Sequence, residues 1–171
     1  SMIKAILACD AKGGIARGGV MPWPKNSQDL KHFQQLTRGH TVVMGRKTWE
    51  AQDMPSPLPK RENVVVTRTA GYTAPGATVI TDNVVEQVEQ LATQGTVFVI
   101  GGASLFEQLV DHISILHLTR ISCDWGCDTH LSLDTVAEKF KLIDSVNINR
   151  DTTFEVHFAR RLHDLSLNTN V

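Results

Sequence analysis

The stretch Thr41-Val42-Val43-Met44-Gly45-Arg46-Lys47-Thr48-Trp49-Glu50 (TVVMGRKTWE) passes from an apolar, β-branched segment through one glycine into two cations and a hydroxyl. An apolar run of that length, stopped by a glycine, reads as a buried strand over 41–44, with a short helix opening near Lys47. A second junction of the same kind closes the run 96–100, where Gly101-Gly102-Ala103-Ser104 leads into an amphipathic segment. Working outward, the Val- and Ile-rich runs 3–9, 63–67 and 77–80 read as further buried strands. Residues 27–36, 83–92 and 103–110 read as helices, the second with Val84, Val85, Val88 and Leu91 on one stripe. This alternation predicts an α/β fold with a central, mainly parallel twisted sheet and helices on both faces. Beyond residue 112 the runs 113–121, 140–146 and 153–160 are separated only by a turn around 135–139, which predicts antiparallel strands closing a C-terminal edge.

The chain has 171 residues, 42% of them apolar and 20% charged, enough to bury a core without metals or disulfides. One domain is expected over 1–162, followed by a polar tail at 163–171, and Ser1 ahead of Met2 reads as a scar of tag removal. Lys plus Arg (17) nearly balance Asp plus Glu (18), so nothing points to nucleic acid or a membrane surface; the expected partners are small molecules and the expected state a monomer. Three cysteines, Cys9, Cys123 and Cys127, cannot all pair, and no signal segment precedes the first strand, which fits a reduced, cytoplasmic protein. No run approaches the roughly 20 apolar residues of a membrane span.

Both strand-glycine-helix junctions are natural anion sites, because backbone N–H groups at a helix start favour phosphate and Arg46, Lys47 and Thr48 can add to them. Neither is a G-x-G-x-x-G or a P-loop, but two such turns suit a ligand with a pyrophosphate bridge lying across the carboxyl ends of the strands. Asp29 shares a helical face with Phe33 and Leu36, beside Leu30. It either completes a capping box with Asn26 or presents its carboxylate to a cationic, amidine-like ligand, where burial would raise its proton affinity. The segment 13–24 holds four glycines, Gly13, Gly14, Gly18 and Gly19, and ends in Met21-Pro22-Trp23-Pro24; it is either a plain surface loop or a lid that keeps water from a site. No metal site is expected: Cys123 and Cys127 lack a completing His or Cys pair, and no H-E-x-x-H or G-x-S-x-G is present. His130 reads as a strand-terminal structural residue.

Met21-Pro22-Trp23, the helix with Asp29 and Phe33, the stretch 43–50, Leu58-Pro59-Lys60-Arg61-Glu62-Asn63, Val99-Ile100-Gly101-Gly102-Ala103 and Asp128-Thr129-His130 together resemble dihydrofolate reductase, in that family's order and spacing from Met2 to Arg161. The likeness is to the short bacterial type, with no thymidylate synthase extension. It implies NADPH-dependent reduction of 7,8-dihydrofolate to tetrahydrofolate, with hydride passing to C6 while N5 is protonated, and it implies antifolate inhibitors as ligands. Asp29 would then grip the pterin, supported by Thr119, with Trp23 holding a water and Met21 in the closing loop. Ile6 and Ile100 would offer backbone carbonyls to the pterin; Leu30, Phe33 and Leu58 would sandwich its rings, with Phe106 near the nicotinamide; and Arg61 would take the glutamate α-carboxylate. The cofactor would meet Ala8, Ile15, Gly19, Val20, Gly45, Arg46, Lys47, Thr48, Thr67, Arg68, Gly101, Gly102, Ala103, Ser104 and Leu105.

Four positions depart from the family's common pattern: Ala16 for a glycine, Gly19 for Asn or Asp, Phe106 for Tyr, and Ser104 for a basic residue found in some relatives. The first two bear on loop motion, the third on inhibitor affinity, the fourth on phosphate contacts. The rival readings are the pyrimidine reductase of riboflavin synthesis and a non-catalytic protein on the same scaffold. Asp29, Arg61 and the two phosphate turns speak against both.

Overall fold

Strand residues in this chain sort by parity into two apolar faces. Ala5, Leu7 and Cys9 fall in one buried cluster with Val43, Val64, Val97 and Val99, while Ile6, Val42, Met44, Val65 and Phe98 fall in the other. Side chains alternate across a strand, so a strand apolar at every position is one covered on both sides. The computed structural model describes residues 2–162 and bears this out. The expected tail at 163–171 lies outside the described residues.

An eight-stranded sheet has the order β5-β4-β3-β6-β1-β7-β10-β9. Its strands are β1 (Ile3–Cys9), β3 (Thr41–Gly45), β4 (Glu62–Val66), β5 (Thr78–Ile80), β6 (Val97–Val99), β7 (Ile115–Ile121), β9 (Phe140–Asn149) and β10 (Thr152–Ala159). β5 to β7 pair in parallel, with Val43 in register with both Val64 and Val99. Only β10 and β9 run antiparallel, β10 against β7 and β9 against β10. The strand expected at 113–121 is β7, which pairs antiparallel with β10 on one side and in parallel with β1 on the other. Its apolar alternation cannot report direction, which is set by the partner it meets.

Helices α3 (Val84–Ala92), α4 (Ala103–Leu109) and α5 (Leu133–Lys139) cover the first face through Val88, Leu105, Phe106, Leu109 and Val136. Helix α1 (Ser27–Thr37), with Phe33 and Leu36, and the one-turn α2 (Arg46–Trp49), with Trp49, cover the second. The turn expected at 135–139 is helix α5, started by the Ser132 side chain accepting from the Thr135 amide.

The glycine-rich segment is more ordered than a loop reading allows. β2 (Gly14–Ala16) pairs antiparallel with β8 (Thr129–His130) in a small second sheet. Arg17 and Val20 then close a hairpin turn, Arg17 N to Val20 O at 2.8 Å, with Gly18 and Gly19 at φ +58° and +84°. Two consecutive positive φ angles are what such a tight turn requires, and Asn or Asp would be the next best choice after glycine. Gly19 thus keeps the local geometry that a family-typical Asn or Asp would also supply.

Candidate active site

Parallel strands all point their carboxyl ends one way, and the loops that follow open a crevice there. Here the ends of β1, β3, β4, β5 and β6 border a cleft of about 1030 Å³, walled on its other side by α1 and the loop before it. Its walls include Ile6, Ala8, Ile15, Gly19, Met21, Asp29, Leu30, Phe33, Leu58, Arg61 and Ile100 at one end. At the other they include Gly45, Arg46, Lys47, Thr48, Thr67, Arg68 and Gly101 through Leu105.

Asp29 resolves the two readings left open for it. The Asn26 side chain does cap α1, accepting from the Asp29 amide at 3.0 Å. The Asp29 carboxylate does not reach back to complete a capping box; it turns across to β7, where Thr119 Oγ1 donates to its Oδ1 at 2.7 Å. Burial raises the Asp29 proton affinity above that of an ordinary carboxylate, against the Thr119 hydrogen bond and the nearby His32, which both pull it down. His32, one turn on along α1, stacks on Phe154 of β10 at 3.9 Å between ring centroids, and burial lowers its own pKa. The sequence carried a signal for this neighbour in its i+3 spacing from Asp29.

Leu30, Phe33 and Leu58 present apolar surface next to that carboxylate, and Arg61 stands beyond them, its guanidinium 5.9 Å from the centre of the Phe33 ring. Arg61 donates to the Pro59 carbonyl at 2.8 Å and to Thr37 Oγ1 at 3.1 Å, which fixes its plane and leaves its remaining donors free. The segment bearing Leu58 and Arg61 is itself held by buried Asn63. The Asn63 Nδ2 donates to the Leu58 and Arg61 carbonyls, and its Oδ1 accepts from the Leu58 amide.

At the far end the two glycine junctions meet, Gly45 N donating to Gly101 O at 2.8 Å. Gly101 has φ +124°, a conformation closed to ordinary side chains, and the peptide between Gly101 and Gly102 is cis. Helix α2 is only four residues long, so an anion there would meet backbone amides and side chains more than a helix dipole. Arg46, Lys47 and Arg68 make no ion pair among the described residues, though all three line the cleft. Unneutralised cations around two glycine turns fit a ligand carrying several phosphates.

Four expected site residues stand apart from these walls. Thr119 is 2% exposed and acts on the cleft only through Asp29. Trp23, 7% exposed, and Val20, tied into the hairpin turn, are not among the cleft's walls. Phe106 is fully buried, its ring 6.2 Å from that of Phe140, because α4 turns that face onto the sheet. In the other direction, Thr81, Asp82, Asn83 and Val84 line the cleft unannounced. The strand end at Ile80 leading into α3 is a third strand-to-helix junction, but it carries no glycine to flag it. Asp128, quoted in the sequence motif but given no role, anchors the hairpin by accepting from the Gly18 amide at 2.9 Å. Among the described residues no cluster of potential metal ligands occurs, and no helix is long and apolar enough to cross a membrane.

A cleft with two cation-lined glycine turns at one end and a half-buried carboxylate beside apolar side chains at the other is the layout of an α/β enzyme that sets a phosphorylated cofactor beside its substrate. Residues 2–163 match the family model described as dihydrofolate reductase. The chain belongs to the dihydrofolate reductase family, and with it to the NADP-dependent oxidoreductases. Dihydrofolate reductase from Staphylococcus aureus is 37% identical over 127 residues, 74% of this chain and 76% of the relative. That from Mycobacterium tuberculosis is 36% identical over 124 residues, 71% of this chain and 72% of the relative. Among solved structures, dihydrofolate reductase from Enterococcus faecalis complexed with NADP(H) and RAB-propyl superposes with a TM-score of 0.78 at 27% identity, covering 92% of this chain and 96% of that one.

Proposed function

We propose that this chain reduces 7,8-dihydrofolate to 5,6,7,8-tetrahydrofolate, using NADPH, and that Asp29 holds the pterin and promotes protonation of N5. The observation that carries the assignment of Asp29 is its carboxylate: raised in proton affinity by burial, held by Thr119, and facing the same cleft as two glycine-led phosphate turns. The cofactor, when bound, supplies hydride to C6; everything else falls to the protein.

Asp29 pairs with the guanidine-like N3 and 2-amino edge of the pterin, and burial, by raising its affinity for a proton, favours it as the group that promotes protonation of N5. Leu30, Phe33 and Leu58 hold the rings flat and exclude water, with the Ile6 and Ile100 carbonyls as further anchors. Arg61, pre-set by Pro59 and Thr37, takes the α-carboxylate of the glutamate tail as a planar pair. Ala8, Ile15, Gly19 and Met21 border the nicotinamide side. Arg46, Lys47, Thr48, Thr67, Arg68 and the turn 101–105 hold the phosphates, the cationic group favouring NADPH over NADH. Antifolates that mimic the pterin would compete for Asp29. The nearly balanced charge, 17 against 18, supports a monomer with no affinity for nucleic acid, checked by light scattering and by nucleic-acid binding at low salt, and the three cysteines, which cannot all pair, support a reduced, cytoplasmic setting.

Loss of NADPH absorbance on adding dihydrofolate, with NADH in parallel, tests the reading. Rapid NADPH-dependent oxidation is expected. Tight NADPH binding without turnover of dihydrofolate would overturn it.

A further inference from the structure

Arg46 and Glu50 lie one turn apart, the Glu50 amide donating to the Arg46 carbonyl at 2.9 Å. That i,i+4 spacing normally brings opposite charges together on an exposed helix face. Here no ion pair forms between them, and Arg46 has none with any other described residue. The Glu50 carboxylate is taken instead by Tyr72, whose hydroxyl donates to Oε2 at 2.5 Å. The Arg46 guanidinium sits 6.0 Å from the centre of the same tyrosine ring.

We propose that Tyr72 is a positioning residue for cofactor selectivity: its hydroxyl sequesters Glu50 and its ring seats Arg46, so that the guanidinium faces the cleft free to meet a cofactor phosphate. The inference rests on the reading of Arg46 as a phosphate contact.

The ring is well placed to do this. It packs, partly buried, against the second core cluster alongside Trp49 and Ala74, so its position is set by the core rather than by the surface. Its amide donates to the Thr69 carbonyl, and the Thr69 amide donates to Thr67 Oγ1, so the turn that places Tyr72 is the one that carries Thr67 and Arg68 into the cleft wall. The bond to Glu50 also pushes the tyrosine hydroxyl upward from its ordinary pKa, so the donor persists through neutral pH.

Without the hydroxyl, Glu50 is released to pair with Arg46 and competes with the cofactor's phosphate. An exposed pair of this spacing is modest in strength, so Tyr72→Phe should raise KM for NADPH by roughly twofold, with kcat at saturating cofactor little changed. KM for NADH should change less, narrowing the preference between the two cofactors. The decisive variant is Tyr72→Phe with Glu50→Gln, in which the carboxylate one turn from Arg46 is gone; KM for NADPH should return to the parent value. Recovery in the double variant supports the proposal. An unchanged KM in Tyr72→Phe, or a raised one that Glu50→Gln does not restore, overturns it, the latter because simple loss of packing would not be repaired at position 50. Arg46→Gln separates the two levels: if it leaves the NADPH preference intact, the phosphate role of Arg46 fails and the proposal with it. If it abolishes the preference while Tyr72→Phe does nothing, only the role of Tyr72 fails.

Discussion

Asn63 is 3% exposed and makes three hydrogen bonds, all to the backbone of Leu58 and Arg61. Replacing it by alanine leaves the Leu58 amide and two carbonyls without their partner. Each lost bond is worth about 1 kcal/mol, so Asn63→Ala should cost ~3 kcal/mol, a large share of the roughly 5–15 kcal/mol that holds a domain of this size. Equilibrium unfolding in urea measures it. The same change loosens the segment that aims Arg61 and Leu58 into the cleft, and loss of ~1.4 kcal/mol of carboxylate binding would be a tenfold rise in KM for dihydrofolate. KM for NADPH should stay put, because the phosphate turns do not depend on Asn63. Unfolding within about 1 kcal/mol of the parent would refute the hydrogen-bond reasoning. Equal rises in both KM values would refute the claim that Asn63 serves the substrate end alone.

Asp29→Asn should abolish most turnover near neutral pH while leaving the protein at least as stable there. Because burial raises the carboxyl's pKa, the stability it contributes is present below its unfolded value and lost as pH rises through the folded one, so removing the charge relieves a cost at pH 7; a clear fall in Tm would contradict this. His117 is pushed down to about 4 from 6.5, chiefly by burial and further by Lys4 and His32. Its neutral form supports stability above 6.5 that is lost as pH falls towards about 4, so His117→Gln should flatten acid destabilisation in that window, as followed by Tm against pH. Gly101→Ala forces a side chain to φ +124° and should cost roughly 1–3 kcal/mol while weakening NADPH binding measured by fluorescence titration. An unaltered affinity would show that the turn tolerates distortion.

The sequence alone determined the parallel sheet, because strands covered on both sides must be apolar at every position and those runs alternate with amphipathic ones. It marked both phosphate turns by their glycines and basic residues, and it placed Asp29 on an apolar face. Tertiary contacts decided the rest. Which way the strand at Ile115–Ile121 runs depends on its neighbour β1, and the small sheet of Gly14–Ala16 with Thr129–His130 pairs segments more than a hundred residues apart that carry too few side chains to announce it. Local spacing gave Asn26 as a cap but left the destination of the Asp29 carboxylate open; only the approach of Thr119 from β7 turns it into the cleft. Phe106 and Trp23 show the same limit from the other side. A motif fixes where a residue falls along the chain, whereas the packing of α4 and of the loop before α1 decides whether its side chain borders the open cleft or lies buried behind it.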